Sequence, residues 1–224
     1  MIHYLFDIDG TLMRAGGAGA RSLAAVMRAR YGVDDAARGV NAAGRTDPSI
    51  VDEIFAKALG RRPEPGEVDA VIAAYLAELD RALAATTSTL RVLPGAGDIL
   101  VWLAGCAGTT LAVATGNVRD GARIKLRHAR LDAHFDLDRT GGYGCDSAIR
   151  AELVARAVER AGAAAGDTVV VVGDTVHDIS AARAVGALCV AVTTGSDRAE
   201  ALAGADAVID GLDELRAWHT ARFA

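Results

Sequence analysis

Unbroken apolar runs constrain this chain more than any other feature. Residues 110–114, 168–172 and 188–192 read Thr-Leu-Ala-Val-Ala, Thr-Val-Val-Val-Val and Leu-Cys-Val-Ala-Val. An earlier run, Ile-His-Tyr-Leu-Phe at 2–6, and a short one at 207–209 share their character. Runs of this length without polar alternation predict strands buried on both faces. Helical patterns at 148–160 and 178–185 lie between the later runs. Strand, helix, strand at that spacing predicts an α/β fold, a Rossmann-type parallel sheet with helices on both faces.

The interval between the first two runs breaks the rule. About a hundred residues separate Phe6 from Thr110, far more than one crossover helix needs. Residues 19–31, 48–59 and 65–83 read as amphipathic or Ala-rich helices, and 96–103 as an ordinary crossover helix. The expected organisation is a core of 1–14 and 91–224 with a helical insertion at 15–90. Gly16, Gly17 and Gly19 suit a hinge where the chain leaves the core.

Ligands of open parallel sheets bind beyond the carboxyl ends of the strands. Past the first run stands Asp7-Ile8-Asp9-Gly10-Thr11; past the second, Thr115-Gly116-Asn117; past the third, Gly173-Asp174-Thr175-Val176-His177-Asp178. One such Asp alone is most simply a helix cap or turn former. Three strand ends delivering four carboxylates to one edge are a site. Like charges gathered there call for a cation, and an oxygen-only donor set suits Mg²⁺.

These three segments, in this order, resemble the first, second and fourth motifs of the haloacid dehalogenase superfamily. A helical cap after the first motif resembles the subgroup of phosphoglycolate phosphatases and β-phosphoglucomutases. The resemblance implies an aspartyl-phosphate mechanism. Asp7 is then the nucleophile and Asp9 the general acid and base. Mg²⁺ is held by Asp7, the Asp9 backbone carbonyl and Asp174, with Asp178 completing the site directly or through water. Thr115, Gly116 and Asn117 would cradle the phosphoryl group.

The common Lys-Pro form of the third motif is missing. Two cations are candidates for its phosphate-binding role. Arg150 opens the helix before the fourth motif, whereas Lys125 lies one to two turns into the helix after the second, where side chains are expected to point away from the helix start. That expectation favours Arg150. In the insertion, the place of Gly44-Arg45-Thr46-Asp47-Pro48 resembles that of the substrate-recognition loop in related caps, which implies Arg45 as a specificity residue for an anionic leaving group. Asp47 reads as a helix cap with Pro48 first in the helix. Lys57, the only lysine of the insertion, fits an amphipathic helix and not a Schiff-base lysine, and His177 fits a solvated loop.

The expected activity is hydrolysis of a small phosphorylated metabolite. A phosphomutase would use the same aspartates, and the motifs do not separate the two. Asp9 argues against a dehalogenase, since a halide needs no acid. The intact carboxylate cluster argues against a non-catalytic binding module. A net charge of −5 speaks against nucleic acid as partner, and no apolar stretch is long enough to span a membrane. Cys106, Cys145 and Cys189, scattered and odd in number, fit reduced core thiols and a cytoplasmic protein.

Overall fold

The computed structural model describes residues 1–223. A five-stranded parallel sheet forms the frame: β1 (Ile2–Phe6), β4 (Thr109–Val113), β5 (Thr168–Gly173), β6 (Leu188–Val192) and β7 (Ala207–Ile209), in the order β4-β1-β5-β6-β7. β1 is central, with Phe6 opposite Val113 on one side and Val172 on the other. Its one polar residue, His3, is buried and satisfied by Thr110 at 2.8 Å and Asp167 at 3.1 Å.

Between β1 and β4 the chain is helical, as expected. A ribbon not anticipated from sequence frames this stretch: β2 (Met13–Arg14) pairs antiparallel with β3 (Arg91–Val92). Both crossings between the sheet and the helices above it therefore lie side by side. Three helices follow β2: α1 (Ala18–Tyr31), α2 (Asp47–Ile54) and α3 (Glu67–Ala84). α1 packs along α3 through Leu23, Val26, Met27, Val71 and Leu79, all buried. These residues join Phe6, Ile8, Leu12 and Val113 in one continuous apolar cluster, so helices and sheet share a core.

The remaining helices are α4 (Ala96–Ala104), α5 (Arg119–Ala129), α6 (Arg150–Arg160), α7 (Val176–Ala184) and α8 (Leu215–Phe223). α7 begins two residues earlier than its apolar pattern suggests, because Thr175 and Asp178 form a reciprocal capping box. His177 is thus an exposed residue of the first helical turn rather than of a loop. In α2 the cap is Thr46, whose hydroxyl accepts from the Ser49 N–H at 3.4 Å. Asp47 is the first helical residue and Pro48 the second, a correction to the expected cap. The helix anticipated at 48–59 ends in a π-helical turn at Phe55–Leu59. The thiols also differ from expectation: Cys189 is buried, Cys106 half-buried, and Cys145 exposed in the loop before α6.

Candidate active site

β1 is followed directly by Asp7, whose N–H donates to the Val172 carbonyl at 2.9 Å and locks the residue to the neighbouring strand. Asp174 follows β5 and Asp178 sits in the first turn of α7. The three buried carboxylates offer oxygens within 4.8 Å of one another. Gly10 adopts φ 88°, and a Cβ there would run into Asp174, so the first-motif loop can pass this close only as glycine.

Each carboxylate has a distinct environment. Asp174 accepts from the Ser196 N–H at 3.1 Å and the Thr11 hydroxyl at 3.3 Å. Burial pushes its pKa up to about 8, and Asp7 and Asp178 add to the rise. Burial also raises Asp7, to about 6; Arg150 opposes this, and Asp178 and Asp9 reinforce it. Asp178 has both oxygens committed. One takes Arg150 Nε at 3.0 Å and Nη2 at 2.6 Å, and the other takes the Thr175 N–H at 3.1 Å and hydroxyl at 2.7 Å. Asp7 and Asp174 are thus the carboxylates left with free lone pairs. Two desolvated acids with a raised proton affinity and only oxygen donors fit a hard divalent cation such as Mg²⁺.

Arg150 is buried as the first residue of α6, with Nη2 3.1 Å from Asp7 and Nη1 3.3 Å from the Gly44 carbonyl. Burial works against its charge, but Asp178 and Asp7 outweigh it and hold the guanidinium protonated. Lys125 corrects the expectation that it points away. It is buried, its Nζ donating to Asp9 Oδ2 at 2.5 Å and to Asn117 Oδ1 at 2.6 Å. Burial opposes this charge too, and Asp9, Tyr75 and Asp47 more than offset it. Asn117 donates to Asp9 at 2.9 Å and to Thr115 Oγ1 at 2.8 Å. Arg150 thus serves Asp7, and Lys125 serves Asp9.

The helical layer closes over this floor through the loop before α2. The Asp47 N–H donates to the Gly116 carbonyl at 2.8 Å, and the Asp47 carboxylate accepts from the Val118 N–H at 2.8 Å. A Cβ on Gly116 would overlap the Arg45 carbonyl, so this contact also requires glycine. Burial lifts Asp47 to about 6, while Lys125 and the Val118 N–H pull it down. Arg45 lines the same cavity, but its guanidinium pairs with Glu53 and donates to the Ser49 carbonyl at 2.8 Å. Lys57 lies outside the cavity, bound to Glu53 and the Gly39 carbonyl.

Asp47, Tyr75 and Ser196 were not assigned to the site from sequence. Ser196 follows β6, so the strand-end argument applied once more would have reached it. Both Asp47 and Tyr75 come from the layer above; Asp47 lies in the loop singled out from the sequence but reads there as a helix cap, and no local signal marks Tyr75.

A parallel sheet with an acidic, cation-braced pocket at its carboxyl edge is the place where open α/β enzymes bind their ligands. The family model for haloacid dehalogenase-like hydrolases matches residues 3–186, and the chain belongs to that family of enzymes. "Probable phosphatase IndB" of Dickeya dadantii (strain 3937) is 29% identical over 213 residues, covering 94% of this chain and 90% of that protein. CbbY from Rhodobacter sphaeroides, solved with phosphate, superposes with a TM-score of 0.74 at 21% identity over 95% of each chain. A hydrolase from Pseudomonas syringae gives 0.68 at 22% identity over 100% of both. Among the described residues no helix is long and apolar enough to cross a membrane.

Proposed function

We propose that this chain is a Mg²⁺-dependent phosphomonoesterase of the cytoplasm that works through an aspartyl-phosphate on Asp7. The observation that carries this reading is the placement of Asp7, whose carboxylate faces Asp174 on one side and Arg150 on the other, in a cavity that also holds Asp9 and Thr115. The phosphatase name of the Dickeya relative supports it.

In the first half-reaction an Asp7 oxygen attacks phosphorus and the ester P–O bond breaks. Asp9 gives its proton to the departing alcohol oxygen. In the second, a water attacks the phosphorus, Asp9 takes the proton, and the bond to Asp7 breaks to release phosphate. Arg150 steers Asp7 and offsets phosphoryl charge, and the Thr115 hydroxyl and Gly116–Asn117 backbone face the phosphoryl oxygens. Lys125 and Asn117 fix the Asp9 carboxylate. Bound at Asp7, Asp174 and the Asp9 carbonyl, Mg²⁺ supplies the charge that lets an anionic nucleophile approach an anionic ester.

The test is phosphate release from 4-nitrophenyl phosphate with Mg²⁺ and with EDTA, using the parent and Asp7→Asn. Metal-dependent release that disappears in Asp7→Asn is expected. Equal activity in the variant would refute the mechanism. Phosphorus NMR on a sugar 1-phosphate should show free phosphate; an isomerised ester would instead identify a mutase.

A further inference from the structure

The floor of the cavity handles a phosphoryl group; its roof is of another chemistry. The cavity measures about 550 Å³, within the range of sites that enclose a whole small molecule. Away from the aspartates it is walled by Ala20, Leu23, Val40, Ile50, Ile72 and the ring of Tyr75. Two charged residues of the helical layer reach it. They are Arg45, already paired with Glu53, and Asp47, so this wall offers an anion no uncompensated cation.

Tyr75 is the second, independent observation. Only 5% of it is exposed, yet its hydroxyl makes no hydrogen bond to any described residue. The residue is held almost entirely inside the protein, and it lines the cavity, where its hydroxyl is open to water or a ligand and has no protein partner to give up. Asp47 stands nearby with one oxygen on the Val118 N–H and the other without a protein donor. The pair presents a hydroxyl and a carboxylate oxygen to whatever fills the roof.

From this we infer that the substrate is a phosphomonoester of an uncharged, ring-bearing alcohol, whose ring lies on the apolar roof and whose hydroxyl or amide N–H meets Tyr75 and Asp47. A second phosphate or a carboxylate would face Asp47 and apolar side chains with no unpaired cation on the roof. The cation outside this scheme is Arg14, on the core side, held by the carbonyl oxygens of Thr194 and Gly195. This inference names a substrate class for the activity proposed above and rests on it.

The experiment compares kcat/KM with Mg²⁺ for 1-naphthyl phosphate, adenosine 5′-monophosphate, 2-phosphoglycolate and fructose 1,6-bisphosphate. The two neutral ring-bearing esters should exceed the two doubly anionic ones by tenfold or more. Tyr75→Phe should raise KM for adenosine 5′-monophosphate at least threefold more than for 1-naphthyl phosphate, which has no hydroxyl to lose. Calorimetric binding to Asp7→Asn should rank 1-naphthyl phosphate above 2-phosphoglycolate without turnover. A preference for 2-phosphoglycolate or the bisphosphate would overturn the inference and leave the hydrolase reading intact. If that preference vanished in Arg14→Gln, the second anion would be assigned to Arg14. No phosphate release from any of the four would remove both readings.

Discussion

Asp174 offers a test that needs no substrate. It is 3% exposed, and its pKa rises from 3.8 to about 8 in the folded chain. A carboxyl whose folded pKa is raised favours the folded state less as it ionises. The penalty is absent below about pH 4, where both states hold the proton, grows as pH rises, and is complete near pH 8. At pH 7 it amounts to on the order of 4 kcal/mol for an isolated group. Asp7 and Asp178 share in the repulsion, so a part of that is recovered when Asp174 alone is neutralised. Asp174→Asn keeps an oxygen for the Ser196 N–H and removes the charge. In EDTA at pH 8 it should therefore raise Tm by roughly 5 °C or more, at about 2–4 °C per kcal/mol for a chain of this size. At pH 3, below both pKa values, the variant and parent should melt together. Mg²⁺ at a hundred times its Kd should return about 2.7 kcal/mol to the parent and little to the variant. Thermal melts at the two pH values, with EDTA and with Mg²⁺, read all four quantities. An Asp174→Asn variant that melts below the parent at pH 8 in EDTA would refute the reasoning.

Other perturbations separate the remaining residues. Arg150→Leu strips the cation from two buried carboxylates and should destabilise by about 3–5 kcal/mol, visible as a lowered urea midpoint; an unchanged midpoint would show that the pairs carry no stability. Asp9→Asn removes the acid and base and should lower kcat by about 10²–10⁴-fold, as stopped assays on 4-nitrophenyl phosphate would register, and it should also lower Tm, because the buried Lys125 loses its carboxylate partner. Lys125→Met should reduce kcat by about 10²-fold through a misplaced Asp9, with a smaller change in KM; a purely KM effect would assign Lys125 to phosphate binding instead. Gly116→Ala should push the Arg45 carbonyl away and raise KM, which steady-state kinetics on the same ester would detect.

Buried parallel strands announce themselves, because both faces must be apolar, and the five runs fall on the five strands of the sheet. The aspartates beyond them were legible for the same reason: a strand end fixes where its next residue lies. Lys125 was misplaced by a rule applied too simply. Side chains of a helix lean toward its N-terminus, so a long lysine a turn or two in can reach back to the strand end that starts the helix. Asp47 was legible as polar but not as a contact to Val118, since that bond joins segments 71 residues apart. The Tyr75 hydroxyl was hidden likewise, because apolar spacing on α3 explains the ring and is silent about the oxygen.

The short β2–β3 ribbon has a mechanical meaning. A lid tethered at two separate points is rigid, and one tethered at a single strand swings freely in every direction. Here both tethers are zipped together at Met13–Val92 and Arg14–Arg91, beside glycines at 16 and 17 with positive φ. The two strands thus bring both crossings of the chain to one edge of the helical layer, while the Asp47 hydrogen bonds to Gly116 and Val118 join that layer to the strand-end loops at a second place.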